Sequence, residues 1–237
     1  MGQTFENKLA KLDIILSEKQ KEQFDVYYKL LIEWNQVMNL TGITEYQEVQ
    51  EKHFIDSLSL VNAIDMSTIN SLIDVGTGAG FPGIPLKIVF PELEVVLLDS
   101  LNKRVKFLDD IISKLQLKGI TAIHGRAEDY AKEKKYRESF DLCVSRAVAH
   151  LATLTEYCIP YIKVGGFFVS YKAGEIDAEV SESKKAIGML GGELTEIIKF
   201  TLPSSDIARS FIKIRKIKKT GKKYPRKSGL PAKEPLL

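Results

Sequence analysis

The sequence has few of the residues that build disulfide frameworks or metal centres. Its 237 residues include two cysteines and three histidines. Cys143 and Cys158 lie in apolar surroundings without a paired spacing, which predicts reduced cysteines in the core of a cytoplasmic protein. The histidines are scattered along the chain, so we expect no metal site.

Long apolar runs are also missing. No run approaches the roughly 20 residues of a membrane-spanning helix. Residues 1–6 lack the basic and apolar regions of a signal peptide. With 44% hydrophobic and 27% charged residues, the composition predicts one large domain, or one domain with an extension, and no membrane partner.

The net charge is only +3, but it is unevenly distributed. Residues 213–237 contain ten Lys or Arg and a single acid, Glu234, so the remainder of the chain is acidic. An acidic body with a basic end indicates a polyanionic partner. A solvated basic tail without a partner has the same composition, so charge alone leaves both interpretations open.

The chain is organised around residues 72–83, where an apolar run ends in Asp74 and is followed by alternate glycines. The order of Gly76, Gly78 and Gly80 before a helical pattern predicts a strand, a tight turn and a helix N-terminus. Such a turn lets the backbone approach a nucleotide-type cofactor. Gly78-x-Gly80-x-x-Gly83 also matches the dinucleotide fingerprint, so the loop alone leaves S-adenosylmethionine (AdoMet) and NAD open.

A second acid, Asp99, ends the apolar and β-branched run at 93–98. A carboxylate at a strand end can accept both hydroxyls of a ribose. Because NAD and AdoMet both carry that ribose, Asp99 predicts a cofactor contact without choosing between them.

The order of elements favours AdoMet. Residues 1–66 are predicted as an N-terminal helical extension, and residues 67–217 alternate between strand and helix patterns before ending in two adjacent strands. The predicted strands are 71–75, 93–98, 120–124, 140–145, 166–171, 193–202 and 209–217. This pattern predicts an α/β, Rossmann-like class I AdoMet-dependent methyltransferase domain, whose seven-stranded sheet has a terminal antiparallel hairpin. Residues 218–237 are predicted as a basic C-terminal tail.

His53 and Asp56 are three residues apart and share one face of a predicted helix. The pair can form a polar contact on the cofactor side or a simple cap interaction. Taken alone, the spacing favours the simpler interpretation.

Several motifs together resemble the bacterial 16S rRNA guanine-N7 methyltransferase family, also called glucose-inhibited division protein B. The resemblance spans essentially the whole chain. It is carried by Trp34-Asn35, Asn39-Leu40-Thr41, His53-Phe54-Ile55-Asp56-Ser57, the glycine loop from Asp74 to Gly83, Asp99-Ser100-Leu101-Asn102-Lys103-Arg104, Arg126-Ala127-Glu128, Ser145-Arg146-Ala147, Tyr171-Lys172 and Lys223-Tyr224-Pro225-Arg226-Lys227.

The resemblance implies AdoMet contacts at Gly76, Phe81, Ala127, Glu128 and Arg146. It also implies a target guanine in the 530 loop of 16S rRNA, family position 527, in free rRNA or the small ribosomal subunit. A monomer in the cytoplasm is expected.

Guanine N7 is already nucleophilic, so methyl transfer needs positioning more than a general base. A cation can stabilise guanine O6 and exclude adenine, and Arg146 and Lys172, at the ends of two predicted strands, are the candidates.

The basic end is the predicted RNA contact. Lys222, Lys223, Arg226 and Lys227 are expected to neutralise phosphates, and Tyr224 to stack on an unpaired base.

Three other functions remain open on the sequence alone. The first is an AdoMet-dependent methyltransferase whose substrate is another RNA, a protein or a small molecule. The second is an NAD-dependent oxidoreductase, and the third is a non-catalytic RNA-binding module. The basic end argues against a small-molecule substrate, and the terminal hairpin argues against NAD.

Overall fold

The computed structural model describes residues 3–237; Met1 and Gly2, where the predicted helical extension begins, lie outside the described residues. One seven-stranded sheet has the order β3-β2-β1-β4-β5-β7-β6. Its strands are Ser71–Val75 (β1), Glu94–Asp99 (β2), Ile120–His124 (β3), Phe140–Arg146 (β4), Ile162–Lys172 (β5), Gly192–Thr201 (β6) and Ala208–Lys216 (β7). Strands β1–β5 are parallel, and β7 is antiparallel to both β5 and β6. The predicted sheet with its terminal antiparallel hairpin is confirmed.

Helices cover both faces of this sheet. The α-helices are Gln3–Ala10 (α1), Glu18–Met38 (α2), Tyr46–Val49 (α3), Asp56–Leu58 (α4), Gly83–Val89 (α5), Asn102–Lys114 (α6), Ala127–Tyr130 (α7), Leu151–Cys158 (α8), Asp177–Met189 (α9) and Leu230–Lys233 (α10). A π-helical segment, Gln50–Ile55, joins α3 to α4. Three short 3-10 helices lie at Ser59–Asn62, Met66–Thr68 and Ile159–Tyr161.

The N-terminal helices share a core with the sheet. Ser17 and Gln20 form a reciprocal capping box at the start of α2, as the sequence predicts. Phe24 and Leu31 of α2 are fully buried and belong to the same apolar cluster as Leu72 of β1. The helical extension therefore packs directly against the sheet layer that positions the glycine loop.

Two element boundaries, the start of β5 and the end of α7, differ most from the prediction. Strand β5 begins at Ile162, four residues before the predicted start, because the chain continues to pair with β4 through a register shift near its beginning. Helix α7, which the sequence predicts near 127–134, ends at Tyr130, because the charged residues that follow offer no apolar face to bury.

The segment 218–237, predicted as a basic C-terminal tail, packs against the folded body of the protein. Thr220 and Tyr224 are each only 5% exposed. The guanidinium of Arg137 donates hydrogen bonds to the carbonyls of Thr220 and Tyr224 at 2.8 and 2.9 Å. Composition shows that this segment is positively charged, but it does not show which residues of the folded protein contact it.

Candidate active site

The glycine loop follows β1, and the buried carboxylate of Asp74 is hydrogen-bonded to it. Gly76, Gly78 and Gly80 have φ angles of +72°, +63° and +92°, which favour glycine. One oxygen of Asp74, Oδ2, accepts hydrogen bonds from Thr77 Oγ1 at 2.6 Å and from the Gly83 amide at 2.9 Å. Burial raises the pKa of Asp74 to about 6.

Asp99 lies at the end of β2, as predicted, and its carboxylate is 2% exposed. Its Oδ2 accepts a hydrogen bond from the Gly78 amide at 2.9 Å, and its Oδ1 accepts one from the Leu101 amide at 2.9 Å. Asp99 therefore holds the glycine loop against the start of α6. Its contact with a ribose stays a prediction.

Two cavities meet at the glycine loop, and both border Gly76. The larger, of about 640 Å³, lies at the carboxyl edge of the parallel strands and is bordered by the predicted site residues Gly76, Gly78, Phe81, Arg146 and Lys172. The smaller, of about 270 Å³, is bordered by Gly76, Ala127 and Glu128. Of the other predicted cofactor residues, Gly80 packs against Tyr27 and Ile84 beneath the loop, and Asp99 contacts the loop backbone.

This arrangement fits an elongated ligand with two chemically different ends, as AdoMet is. A Cβ added to Gly76 would lie 2.5 Å from Val148 Cγ2, so a side chain at this position would clash with the loop that follows β4. Glu128, only 3% exposed, places a carboxylate at the smaller cavity, where an adenine or ribose donor can be accepted.

A buried carboxylate links two arginines on the wall of the larger cavity. Asp56 is 3% exposed. Arg146 Nη1 donates to its Oδ2 at 2.6 Å, and Arg209 Nε donates to its Oδ1 at 2.7 Å. Charge-assisted pairs of this kind fix the orientation of both guanidinium groups.

Sequence reasoning missed Arg209, which lies in no local motif and reaches the site only because β7 pairs with β5. Asp56 was singled out for its spacing from His53 and as part of the His53–Ser57 motif, but its pairing with two arginines was not predicted. Because the carboxylate pairs with Arg146 and Arg209, the simple cap interpretation is wrong. Asp56 and Arg209 both line the larger cavity. Of the two, only Asp56 had a sequence signal, because it shares a predicted helix face with His53 and lies in the same motif.

His53 packs its ring on Phe81 of the glycine loop, with ring centroids 4.5 Å apart and planes at 21°. Its Nε2 lies 2.8 Å from Thr41 Oγ1. Burial, and then the positive charge of Arg146, lower the pKa of His53 to about 4. The imidazole is therefore neutral near pH 7 and serves as a polar, uncharged wall of the cavity.

Lys172 extends from the end of β5 to the same cavity. Its ammonium donates to Glu179 Oε1 at 2.6 Å and to the Ala149 carbonyl at 3.0 Å. These contacts tie the loop after β4 to α9 and place a cation on the cavity wall.

The predicted RNA contacts separate into two groups. Lys222, Lys223 and Lys227 are exposed. Tyr224 is buried in an apolar cluster, so its predicted stacking on a base is wrong for this fold. The guanidinium of Arg226 contacts both oxygens of the fully buried Glu156 at 2.7–3.0 Å, and its contact with a phosphate stays a prediction.

No cluster of three or more His, Cys, Asp or Glu side chains that could hold a metal ion occurs within residues 3–237. Over the same residues, no helix is both long and apolar enough to cross a membrane.

The fold resembles that of known methyltransferases. A putative methyltransferase from Bacillus halodurans C-125 superposes with a TM-score of 0.54 at 16% identity, covering 69% of this chain and 99% of that chain. At such low identity the likeness concerns the fold alone.

Sequence comparison gives the family. A protein from Lachnoclostridium phytofermentans, named ribosomal RNA small subunit methyltransferase G, is 53% identical over 99% of this chain and 97% of its own length. A protein of the same name from Clostridium novyi is 50% identical over 95% of this chain and 93% of its own length. The family model GidB, rRNA small subunit methyltransferase G, matches residues 20–224. The chain therefore belongs to the rRNA small subunit methyltransferase G (GidB) family of AdoMet-dependent methyltransferases.

Proposed function

We propose that this protein transfers a methyl group from AdoMet to N7 of a guanine in the 530 loop of 16S rRNA, family position 527. The observation that carries the proposal is the row of hydrogen-bond donors Arg146, Lys172 and Arg209, which borders the larger cavity directly beside the glycine loop. Family membership supports the same substrate class.

The two cavities suggest how the cofactor would be held. Ala127 and Glu128 would hold the adenosine end in the smaller cavity, and Gly76, Gly78 and Phe81 would border the other end in the larger one. Bound AdoMet supplies an electrophilic methyl group. Asp99 and Gly80 would act from beneath the loop by fixing its backbone.

The donors suit guanine better than adenine. On the edge that carries N7, guanine presents O6 as an acceptor, whereas adenine presents an amino group. The cationic donors Arg146, Lys172 and Arg209 can pair with O6 of guanine, whereas none of them can accept a hydrogen bond from the amino group of adenine. Asp56 acts as the positioning residue, because it holds Arg146 and Arg209 at once.

No general base is required at this site. The lone pair of guanine N7 lies in the plane of the ring and is free to attack, so orientation supplies most of the acceleration. The neutral His53 stacked on Phe81 gives the base a flat, uncharged surface beside the cationic donors.

The exposed basic residues would bind RNA away from the cavity. Lys222, Lys223 and Lys227 supply three cations, and Lys132 lies beside them because its ammonium approaches the Arg226 carbonyl at 3.4 Å. Contacts of this kind bind phosphates without reading sequence.

A monomer acting in the cytoplasm on the small ribosomal subunit or its RNA completes the proposal. The location follows from where ribosomal RNA is found.

The test uses small subunits and 16S rRNA from cells that lack this protein. Purified protein and labelled AdoMet are added, and the methylated base is mapped by nuclease digestion and mass spectrometry. We expect 7-methylguanine in the 530 loop with wild type and strongly reduced methylation with Arg146→Ala. Methylation elsewhere in RNA, or of a small molecule only, would favour the alternative substrates.

A further inference from the structure

The last residues of the chain run along the body toward the cofactor cavities. We call residues 226–233 the C-terminal strap. Arg226 anchors its start through the bidentate contact with Glu156, which is fully buried in α8. Thr153 Oγ1, also on α8, donates to the Pro231 carbonyl at 3.2 Å. The strap is thus fastened at two points along one helix.

Between these two points the strap contacts a predicted cofactor residue. The Gly229 amide donates to Glu128 Oε1 at 2.7 Å, and Ser228 Oγ donates to Asp129 Oδ1 at 2.6 Å. Gly229 has a φ of +83°, which favours glycine and turns the chain at this contact. One oxygen of the Glu128 carboxylate is thereby held by backbone from the C-terminal end of the chain.

Beyond that contact the strap reaches the smaller cavity itself. Ala232 borders the cavity of about 270 Å³ together with Gly76, Ala127 and Glu128. The family model ends at residue 224 and does not cover the strap.

We propose that the C-terminal strap completes the adenosine end of the cofactor site: Ala232 forms an outer wall, and the Gly229 amide orients the Glu128 carboxylate. The inference rests on the proposed placement of the adenosine end in the smaller cavity. It links the basic C-terminal segment to cofactor affinity, which composition gave no reason to expect.

The test measures the affinity of S-adenosylhomocysteine by calorimetry in two truncated proteins. Truncation after Leu230 removes Ala232, together with the Pro231 anchor and the Glu234 carbonyl that accepts from Arg226, but keeps the contacts of Arg226 with Glu156 and of Gly229 with Glu128. Truncation after Glu234 keeps the whole strap and is the matched control. Because ligand sites bury most of the ligand surface, we expect the shorter protein to bind about tenfold more weakly, and the control to match wild type.

The substitution Ala232→Trp tests the same wall without shortening the chain. Ala232 is exposed at the rim of the cavity, so a larger side chain there can fill the cavity without disturbing the core. Lys233→Trp, at the exposed neighbouring position of α10, is its control. We expect weaker binding of S-adenosylhomocysteine and of 5′-methylthioadenosine, which has only the adenosine end, in Ala232→Trp alone. If the protein truncated after Leu230 does not fold, the comparison of Ala232→Trp with Lys233→Trp tests the strap inference by itself.

The outcomes separate this inference from the proposed function. Wild-type protein that fails to bind S-adenosylhomocysteine overturns both. Wild-type binding with unchanged affinity in folded protein truncated after Leu230 overturns the strap inference alone, as does unchanged affinity in Ala232→Trp where the truncated protein is unfolded.

Discussion

At the scale of single residues, Asp56 is the side chain that connects two of the proposed guanine-binding donors, Arg146 and Arg209. Its two oxygens accept from two arginines that belong to different strands, β4 and β7. Loss of its charge leaves two cations on one cavity wall without the carboxylate that balances them. Such buried charge-assisted contacts are worth about 1.5–3 kcal/mol each.

We therefore expect Asp56→Asn to lower kcat for 16S rRNA by about tenfold or more, an effect of about 1.4 kcal/mol on the barrier. The affinity for 5′-methylthioadenosine, which has only the adenosine end, should change little, because neither Arg209 nor Asp56 borders the smaller cavity. Asp177→Asn removes an exposed carboxylate paired with Lys199 and is the control. Methylation at the wild-type rate by Asp56→Asn would contradict a positioning role.

Asp74 gives a prediction about stability and pH. Burial raises its pKa from 3.8 to about 6, so the folded protein retains a proton that the unfolded chain releases. Its contribution to stability is therefore present below about pH 4 and is lost as the pH rises through about 6.

Asp74→Asn removes this titration but keeps an oxygen for Thr77 and Gly83. Relative to wild type, its free energy of unfolding should rise by about 1–3 kcal/mol between pH 4 and pH 7. Urea denaturation of both proteins across that range measures the difference. A difference that does not vary with pH would show that Asp74 titrates normally.

At the scale of elements, the sheet was predictable because each parallel strand is a short apolar run between helical patterns. The end of β4 and the glycine loop also carried their own motifs, so Arg146 and Gly76 could be assigned to the site. Arg209 could not, because its position depends on the pairing of β7 with β5. The burial of Tyr224 and the pairing of Arg226 with Glu156 could not be predicted, because their partners lie far away in sequence and charge composition does not reveal them.

The packing of α2 under the glycine loop yields a further prediction. Tyr27 is fully buried, its ring stacks on Phe81, and its hydroxyl donates to the Ala79 carbonyl at 2.5 Å. Tyr27→Phe leaves that buried carbonyl without its donor, which costs about 1–3 kcal/mol. We expect a lower Tm and weaker binding of S-adenosylhomocysteine, because the loop is less firmly held.

The matched control is Tyr28→Phe. The Tyr28 hydroxyl also donates to a carbonyl, that of Thr44 at 3.0 Å, but on the exposed side of the helix. If both substitutions change affinity equally, α2 has no special role in supporting the glycine loop.

At the scale of the whole molecule, the proposed guanine-binding donors and part of the basic C-terminal segment lie at opposite edges of the sheet. We call the donors Arg146, Lys172 and Arg209 the donor wall. Arg146 ends β4, whereas Thr220 donates its amide to Glu138, just before β4 begins. The length of β4 separates these edges by roughly 20 Å, at about 3.3 Å per residue. Lys222 and Lys223 follow Thr220 at the far edge, so only an extended substrate can contact them and the donor wall together.

We expect the combined change of Lys222, Lys223 and Lys227 to Ala to raise KM for small subunits without lowering kcat. Each cation that contacts a phosphate contributes about 0.7–0.9 to the slope of log affinity against log salt. The variant's slope should therefore be flatter by up to about 2–3. Arg226 is left intact because its pairing with Glu156 anchors the strap. Affinity for S-adenosylhomocysteine should then remain at the wild-type value.

The control removes the same charge from elsewhere, by changing the exposed Lys11, Lys29 and Lys184 to Ala. If the two triple variants have the same KM and the same salt dependence, the exposed lysines of the C-terminal segment act only through net charge. A flatter slope confined to the first variant would instead show that the exposed lysines of the C-terminal segment contact the RNA backbone.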